Sequence, residues 1–184
     1  HYITDVEINK AKNYLKDKVK GQKIVSLILG GPNKYYSFNS DQIINIFNQI
    51  KSIFISEGYK VIIIPSMRTP KETIDLAIKE MGSCGYVENK VDKQAYLSAY
   101  ALANYVIVTC DSTSMISEAA TSGKPIFVAQ MKPKKNNYRF KRFFKLFKQM
   151  GITKDLGEKV ETWTYNKHNE AQRIALELKN KIEN

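Results

Sequence analysis

Short runs of consecutive apolar residues alternate along this chain with segments whose apolar positions recur every three to four residues. Lys23 to Leu29 reads as a continuous apolar strand, ended by the turn Gly30-Gly31-Pro32-Asn33. Before it, residues 5–19 read as a short helix with Val6, Ile8, Ala11 and Leu15 on its apolar side. After it, Ile43, Ile46, Phe47, Ile50, Ile53 and Phe54 share one helical face, with Ser40 as N-cap and Gly58 as the stop. Val61 to Ile64 is a second buried strand. The next helix start is Thr69 as N-cap, Pro70 at the first helical position and Glu72 three residues after the cap, with the helix running to about Met81. A turn from Gly82 to Gly85 and a weak strand at Tyr86-Val87 lead to a helix carrying Tyr96, Leu97, Tyr100 and Ala103. Then come a strand at 105–110, a helix carrying Glu118 that ends at Gly123-Lys124-Pro125, and a strand from Ile126 to Ala129. Phe140, Phe143, Phe144 and Phe147 fall on one stripe of a further helix, and Ala171, Ile174, Ala175, Leu178 and Ile182 on one face of a terminal helix. Strand and helix patterns in this alternation predict a three-layer, Rossmann-like α/β domain around a mainly parallel sheet.

Composition narrows this picture. The chain has 184 residues, 43% of them hydrophobic, enough for one well-buried domain over residues 1–184. No run approaches the ~18 apolar residues of a membrane span, and no charged-then-apolar leader opens the chain, so a soluble domain is expected. Cys84 and Cys110 are too few for a disulfide framework or a zinc site, which suits a reduced, cytoplasmic compartment. The formal net charge of +11 favours an anionic partner: a nucleotide-sugar, a membrane surface or a nucleic acid. Joint enrichment in Lys, Ile and Asn, as a coding bias toward A and T produces, is the competing explanation of that charge. Around the Phe stripe, Arg139, Lys141, Arg142, Lys145 and Lys148 fill much of the remaining circumference. Such a helix covers the sheet with its Phe side, lies on an anionic membrane, or does both in part.

The chemistry concentrates at strand ends, where ligands of open parallel sheets bind. After the first strand, Gly30-Gly31 lets a phosphate approach the backbone without a Cβ in the way. After the second, Ser66-Met67-Arg68-Thr69 places a cation before a helix start. After the strand ending at Cys110, Asp111-Ser112-Thr113-Ser114-Met115-Ile116-Ser117-Glu118 crowds hydroxyls onto a helix N-terminus, whose N–H groups and dipole favour an anion. Glu118, early in that helix, is placed to accept bonds from sugar hydroxyls. Each corner has a structural explanation as a turn or a cap; their coincidence at three strand ends favours a nucleotide. Walker-type, dinucleotide-type and nucleophile-elbow motifs are absent from the sequence. His1 and His168, the only histidines, suggest neither a metal site nor a triad, and no metal ligand set is expected.

Taken in order, Leu29 to Lys34, Ser66 to Pro70, Ala101 to Asn104, Val108 to Ala119 and Gly123 to Pro125 resemble the mitochondrial-fission (elongated mitochondria) family and its bacterial relatives, described as glycosyltransferases. The resemblance implies the C-terminal, donor-binding half of a B-type glycosyltransferase (GT-B) fold. The N-terminal acceptor half, which commonly supplies the catalytic base, is expected to lie outside this chain. By position, Gly30, Gly31 and Asn33 would line the diphosphate, Arg68 and Thr69 would neutralise it with Ser66 beside them, Ser112, Ser114 and Met115 would present the helix N-terminus, and Glu118 would hold ribose. Met67 stands where the family carries a first Arg, Gln94-Ala95-Tyr96 aligns with its Asn-Pro-Tyr, and Ala103-Asn104 with its Ala-Asp.

The expectation is therefore a bacterial, nucleotide-sugar donor-binding domain acting, with its missing N-terminal domain, on a cell-envelope glycan or lipid. It needs no cofactor besides its substrate, and sits in the cytoplasm or peripherally on the cytoplasmic face of the inner membrane. A non-enzymatic, membrane-associated adaptor is the first alternative and a nucleic-acid-binding α/β domain the second. The second is disfavoured by the lack of aromatic-plus-basic strand motifs.

Overall fold

Lys23–Leu29 forms β1, and every residue after Lys23 is buried, as required of a strand covered by helices on both faces. The computed structural model describes residues 3–167. Within them β1 lies between β2 (Tyr59–Pro65) and β4 (Tyr105–Thr109), with Val25 opposite both Val61 and Tyr105. Short outer strands β3 (Gly85–Val87), β5 (Ile126–Ala129) and β6 (Thr153–Asp155) complete a six-stranded sheet, parallel at every pairing and ordered β3-β2-β1-β4-β5-β6. The chain leaves β1 toward β2 and β3, then crosses back to β4 on the other side. The switch point therefore lies at the carboxyl ends of β1 and β4, where an open α/β sheet leaves a crevice. β6 carries only Thr-Lys-Asp, with no apolar run by which the sequence could announce it.

Helices cover this sheet. α1 (Asp5–Ala11) begins with a capping box: the Thr4 hydroxyl accepts from the Glu7 N–H and the Glu7 carboxylate from the Thr4 N–H. The helix expected over residues 5–19 stops after two turns at Ala11, where the N–H groups of Lys12 and Tyr14 turn to carbonyls three residues back; beyond that turn the Leu15 N–H bonds the Ser98 hydroxyl of α4 (Lys93–Leu102) at 3.1 Å. Leu15 is buried all the same, whereas Val6 is exposed. α2 (Ser40–Ile50) is capped by Asn39, one residue before the predicted Ser40, and widens into a π turn over Lys51–Ile55 that still buries Ile53 and Phe54. Gly58, at φ +80°, then reverses the chain into β2. α3 (Lys71–Met81) has Pro70 at its N-cap, so Thr69 is not the cap that the sequence suggested. α5 (Thr113–Ala120) and α6 (Tyr138–Gln149) follow β4 and β5.

Packing joins the layers. α1 lies on α4, and the Ser26 hydroxyl of β1 donates to the Ala99 carbonyl of α4 at 2.8 Å, so a buried polar group on that face is satisfied. α2 and α3 pack on one another. At the opposite end of the sheet from the switch point, Phe54, Tyr59, Tyr105, Phe127 and Trp163 form a ring cluster with neighbouring centroids 5.1–6.1 Å apart. Phe144 and Phe147 of α6 are buried and Phe140 and Phe143 pack against the core, so the Phe stripe serves as a cover. The terminal helix expected from Ala171 to Ile182 lies outside the described residues. No helix among the described residues is long and apolar enough to cross a membrane.

Candidate functional site

Three strand ends meet at the switch point, and a buried carboxylate joins them. Asp111 follows β4 with its side chain out of contact with solvent. Its Oδ1 accepts from the Thr109 hydroxyl at 2.7 Å; its Oδ2 accepts from the Gly31 N–H at 2.9 Å and from Arg68 Nη2 at 2.8 Å. Burial pushes this carboxyl above its ordinary range, while Thr109, the Gly31 N–H and Arg68 pull it back. Arg68 also donates from Nη1 to the Gly31 carbonyl at 3.0 Å. The loops after β1, β2 and β4 are thus tied into one unit.

This tie explains the glycines differently from a phosphate's need for room. A Cβ on Gly30 would lie 2.1 Å from the Asp111 carboxylate, and one on Gly31 would lie 1.9 Å from the Arg68 carbonyl oxygen. Both positions need glycine for the loops themselves to close. Thr109 extends the lock: its hydroxyl accepts from the Gly30 N–H at 2.8 Å while donating to Asp111. The Thr69 hydroxyl accepts from the Ser66 N–H at 2.8 Å and donates toward the Gly30 carbonyl at 2.6 Å. Asn33 reaches across to the Asp111 carbonyl at 2.9 Å and holds the N–H groups of Tyr35 and Tyr36 with its own oxygen. Further along that loop Phe38 takes φ +62°. The left-handed backbone costs roughly 1–2 kcal/mol, and burying the phenyl ring, worth about 1.5–3 kcal/mol, offsets it.

A pocket of about 540 Å³ opens beside this unit. Pro65, Ser66, Met67 and Arg68 form one wall, Ser112, Ser114, Met115 and Glu118 of the α5 region another, and Asp92, Lys93, Tyr96 and Leu97 of the α4 region a third, with Ile3 and Val91 at the edge. Of the ten residues expected at a donor site, Ser66, Arg68, Ser112, Ser114, Met115 and Glu118 line it together. Gly30, Gly31, Asn33 and Thr69 stand behind the wall, bonded to Asp111, Arg68 or one another.

The chemistry of the lining follows from its elements. Ser112 caps α5, accepting from the Met115 N–H at 3.4 Å, and aims the N-terminal end of that helix at the pocket. Glu118 is one turn further in, and accepts from the Tyr96 hydroxyl at 2.6 Å; Tyr96 in turn accepts from Tyr100 at 2.7 Å. Burial, first of all, raises the pKa of Tyr96 well above that of a free tyrosine, so the relay donates toward Glu118. Asp92 caps α4 through the N–H groups of Gln94 and Ala95, and the Tyr14 hydroxyl at 2.7 Å holds its carboxyl below the ordinary range. Met67 is 88% exposed at the rim. Arg68, 41% exposed, is therefore the cation of the β2 corner, and one of its edges is committed to Asp111.

Sequence reasoning did not single out Asp111 or Tyr96 as site residues. Asp111 had a signal, an acid directly after a buried apolar strand, which must find partners or stay neutral. Tyr96 had only its place on a helix face and its alignment with the Tyr of the family's Asn-Pro-Tyr; its partner Glu118 lies 22 residues away. Among the described residues no cluster of three or more His, Cys, Asp or Glu is placed to hold a metal ion.

Comparison with known proteins agrees with this architecture. A family model described as mitochondrial fission ELM1 matches residues 1–182. An uncharacterized protein of Rickettsia prowazekii (strain Madrid E) is 30% identical over 178 residues, covering 92% of this chain and 48% of that protein. The mitochondrial fission protein ELM1 of Arabidopsis thaliana is 23% identical over 189 residues, covering 99% and 44%. The chain thus spans about half the length of these relatives. Among solved structures, the UDP-GlcNAc 2-epimerase of Neisseria meningitidis, bound to UDP-GlcNAc, superposes on 97% of this chain and 43% of its own, with a TM-score of 0.52 and 15% identity. That likeness is one of fold: a Rossmann-like half of the GT-B type. With the family's pattern running nearly end to end, the chain belongs to the mitochondrial fission ELM1 family.

Proposed function

We propose that this chain is the donor-binding half of a glycosyltransferase, and that the pocket between the β2 corner, α4 and α5 holds a nucleoside-diphosphate sugar. The observation that carries the reading is the union of three strand ends by Asp111 and Arg68 beside a pocket into which α5 points its N-terminus. Arg68 and the α5 N-terminus, with Ser112 and Ser114, receive the diphosphate. Glu118, held by Tyr96, accepts from the hydroxyls of the ribose. Apolar lining from Leu97, Met115 and Val91 faces the uncharged part of the nucleotide.

In transfer, the bond from the anomeric carbon to the diphosphate oxygen breaks and its electron pair stays on the diphosphate. Charge grows there in the transition state. Preorganised donors at that point are worth about 3–4 kcal/mol each in a site closed to water. The acceptor hydroxyl loses its proton to a base on the other half of the protein, the half that binds a cell-envelope glycan or lipid. Gly30, Gly31, Asn33 and Thr69 act in this reading by fixing Arg68 and Asp111, without touching the ligand.

Isothermal titration of the chain with a panel of nucleoside-diphosphate sugars tests the assignment. Saturable binding is expected, weakened about tenfold or more in both Arg68→Ala and Glu118→Ala, since hydrogen bonds to charged groups contribute roughly 1.5–3 kcal/mol. Thermal unfolding of each variant establishes that it is folded. Unchanged affinity in both variants removes the site. Exposure of Met67 where the family carries an arginine favours one rival, a non-enzymatic adaptor, for which no member of the panel should bind.

A further inference from the structure

The charge of this chain is not spread evenly. Residues 132–148 contain Lys132, Lys134, Lys135, Arg139, Lys141, Arg142, Lys145 and Lys148 and no acid, so they carry +8 of the net +11. A coding bias toward lysine does not explain that concentration, nor the absence of Asp and Glu from Ala119 to Lys154. All eight cations are exposed. Among the described residues only Lys148 has an acidic partner, Asp155.

Helical geometry sorts α6 into two faces. Phe140, Phe144 and Phe147 turn toward the core. Tyr138, Arg142, Lys145 and Gln149, at spacings of three and four, fall on the opposite side, with Leu146 next to them. Tyr138 is 69% and Leu146 50% exposed. The lysine-rich segment continues the surface at the start of the helix: the ammonium groups of Lys34 and Lys135 lie 5.0 and 5.7 Å from the centre of the Tyr35 ring, which packs edge-on against Phe140 at 5.3 Å.

We propose that the outer face of α6, with the lysine-rich segment before it, docks this protein on an anionic lipid bilayer. Charge complementarity supplies the attraction, and exposed Tyr138 and Leu146 beside the cations enter the interface between headgroups and acyl chains. A nucleic acid backbone would match the lysines but gives no partner to an exposed leucine. The surface is a convex helix about 18 Å long, which suits a flat sheet of headgroups better than a groove does. Docking in this way has a consequence for the neighbouring site. The first turns of α6 share a smaller pocket, about 340 Å³, with Lys34, Tyr35 and Thr113. Thr113 opens α5, whose adjoining Ser112 and Ser114 line the larger pocket. The bilayer surface is thereby brought beside the same helix N-terminus.

Flotation with phosphatidylcholine vesicles, with and without phosphatidylglycerol, at low and high salt, tests the proposal without any nucleotide present. The chain should float with the phosphatidylglycerol vesicles at low salt and not with phosphatidylcholine alone. Arg142→Glu with Lys145→Glu should reduce the bound fraction at least about tenfold, and the milder pair Arg142→Gln with Lys145→Gln several-fold. Leu146→Ala should weaken binding while leaving its salt dependence unchanged. Lys10→Glu with Lys16→Glu, which alters net charge equally on another surface, should stay within about twofold of the parent. An equal loss in that control pair overturns the proposal, as does failure to float. Tighter binding to a DNA or RNA duplex than to vesicles, indifferent to Leu146→Ala, overturns it in favour of nucleic acid.

Discussion

Asp111 and its three donors set the geometry of the corner, and the residues around it are constrained accordingly. Gly31→Ala forces a methyl group to within 1.9 Å of the Arg68 carbonyl, which belongs to backbone and has no flexible end to yield. The variant should lose about 1–3 kcal/mol in denaturant unfolding; parental stability would mean that the β1 and β2 corners are not in contact. Tyr96→Phe keeps the ring packed against Tyr100, their centroids 4.8 Å apart, and removes the bond to Glu118. If Glu118 binds ribose from a fixed position, nucleotide-sugar affinity should fall about twofold to tenfold, as a hydrogen bond of roughly 0.5–1.5 kcal/mol implies, and unfolding stability should fall by about 1–3 kcal/mol because the buried Tyr100 hydroxyl loses its acceptor. At this scale the sequence showed which residue types gather at strand ends. It did not show that Gly30 and Gly31 serve loop closure, because that depends on Asp111 arriving 80 residues later.

Elements were legible where one local signal decided them. The buried strands from Lys23 and from Tyr105, and the Phe stripe of α6, follow from periodicity alone. Errors arose where a tertiary bond outbid a local rule. Thr69 has the sequence of a helix cap, yet its hydroxyl is used by Ser66 and Gly30, so the cap position passes to Pro70. The helix from Asp5 ends at Ala11, and past that end the Leu15 N–H goes to Ser98 on another helix. Phe144→Ala, on the inner side of α6, should cost about 3 kcal/mol in urea unfolding, whereas Leu146→Ala on the outer side should stay within about 0.5 kcal/mol. Comparable losses in both would mean that α6 does not cover the core with its Phe stripe. The capping box of α1 gives a pH dependence. Bonding from the Thr4 N–H, and then from Lys93, holds the Glu7 carboxyl below its ordinary value of 4.5. A lowered folded-state value means that its contribution is complete above about pH 4.5 and is lost as the pH falls through that folded value. The advantage of the parent over Glu7→Ala in thermal unfolding should therefore hold near neutrality and vanish in acid; a constant gap would contradict the assignment.

For the whole molecule, the strand order turns local corners into a site. β1 stands between β2 and β4, so the three loops that follow these strands are neighbours although they are separated by tens of residues in sequence. The alternating pattern of the chain was enough to anticipate a parallel sheet, and the family resemblance to anticipate a Rossmann-like fold of the GT-B type. β6 and the walls contributed by Asp92, Lys93 and Ile3 were not legible, since they depend on where α4 and the N-terminal segment come to rest. The chain spans about half of its relatives, so a partner half closing over the carboxyl edge of the sheet is part of the proposed mechanism. In the proposed function one ligand touches all three walls of the larger pocket. Amide chemical-shift mapping of the labelled chain during titration with a nucleoside-diphosphate sugar reads those walls out residue by residue. Saturable shifts should group at residues 66–68, 92–97 and 112–118, with the amides of β3 and β6 unmoved. Shifts confined to another surface, or absent at saturating ligand, would rule out the shared pocket.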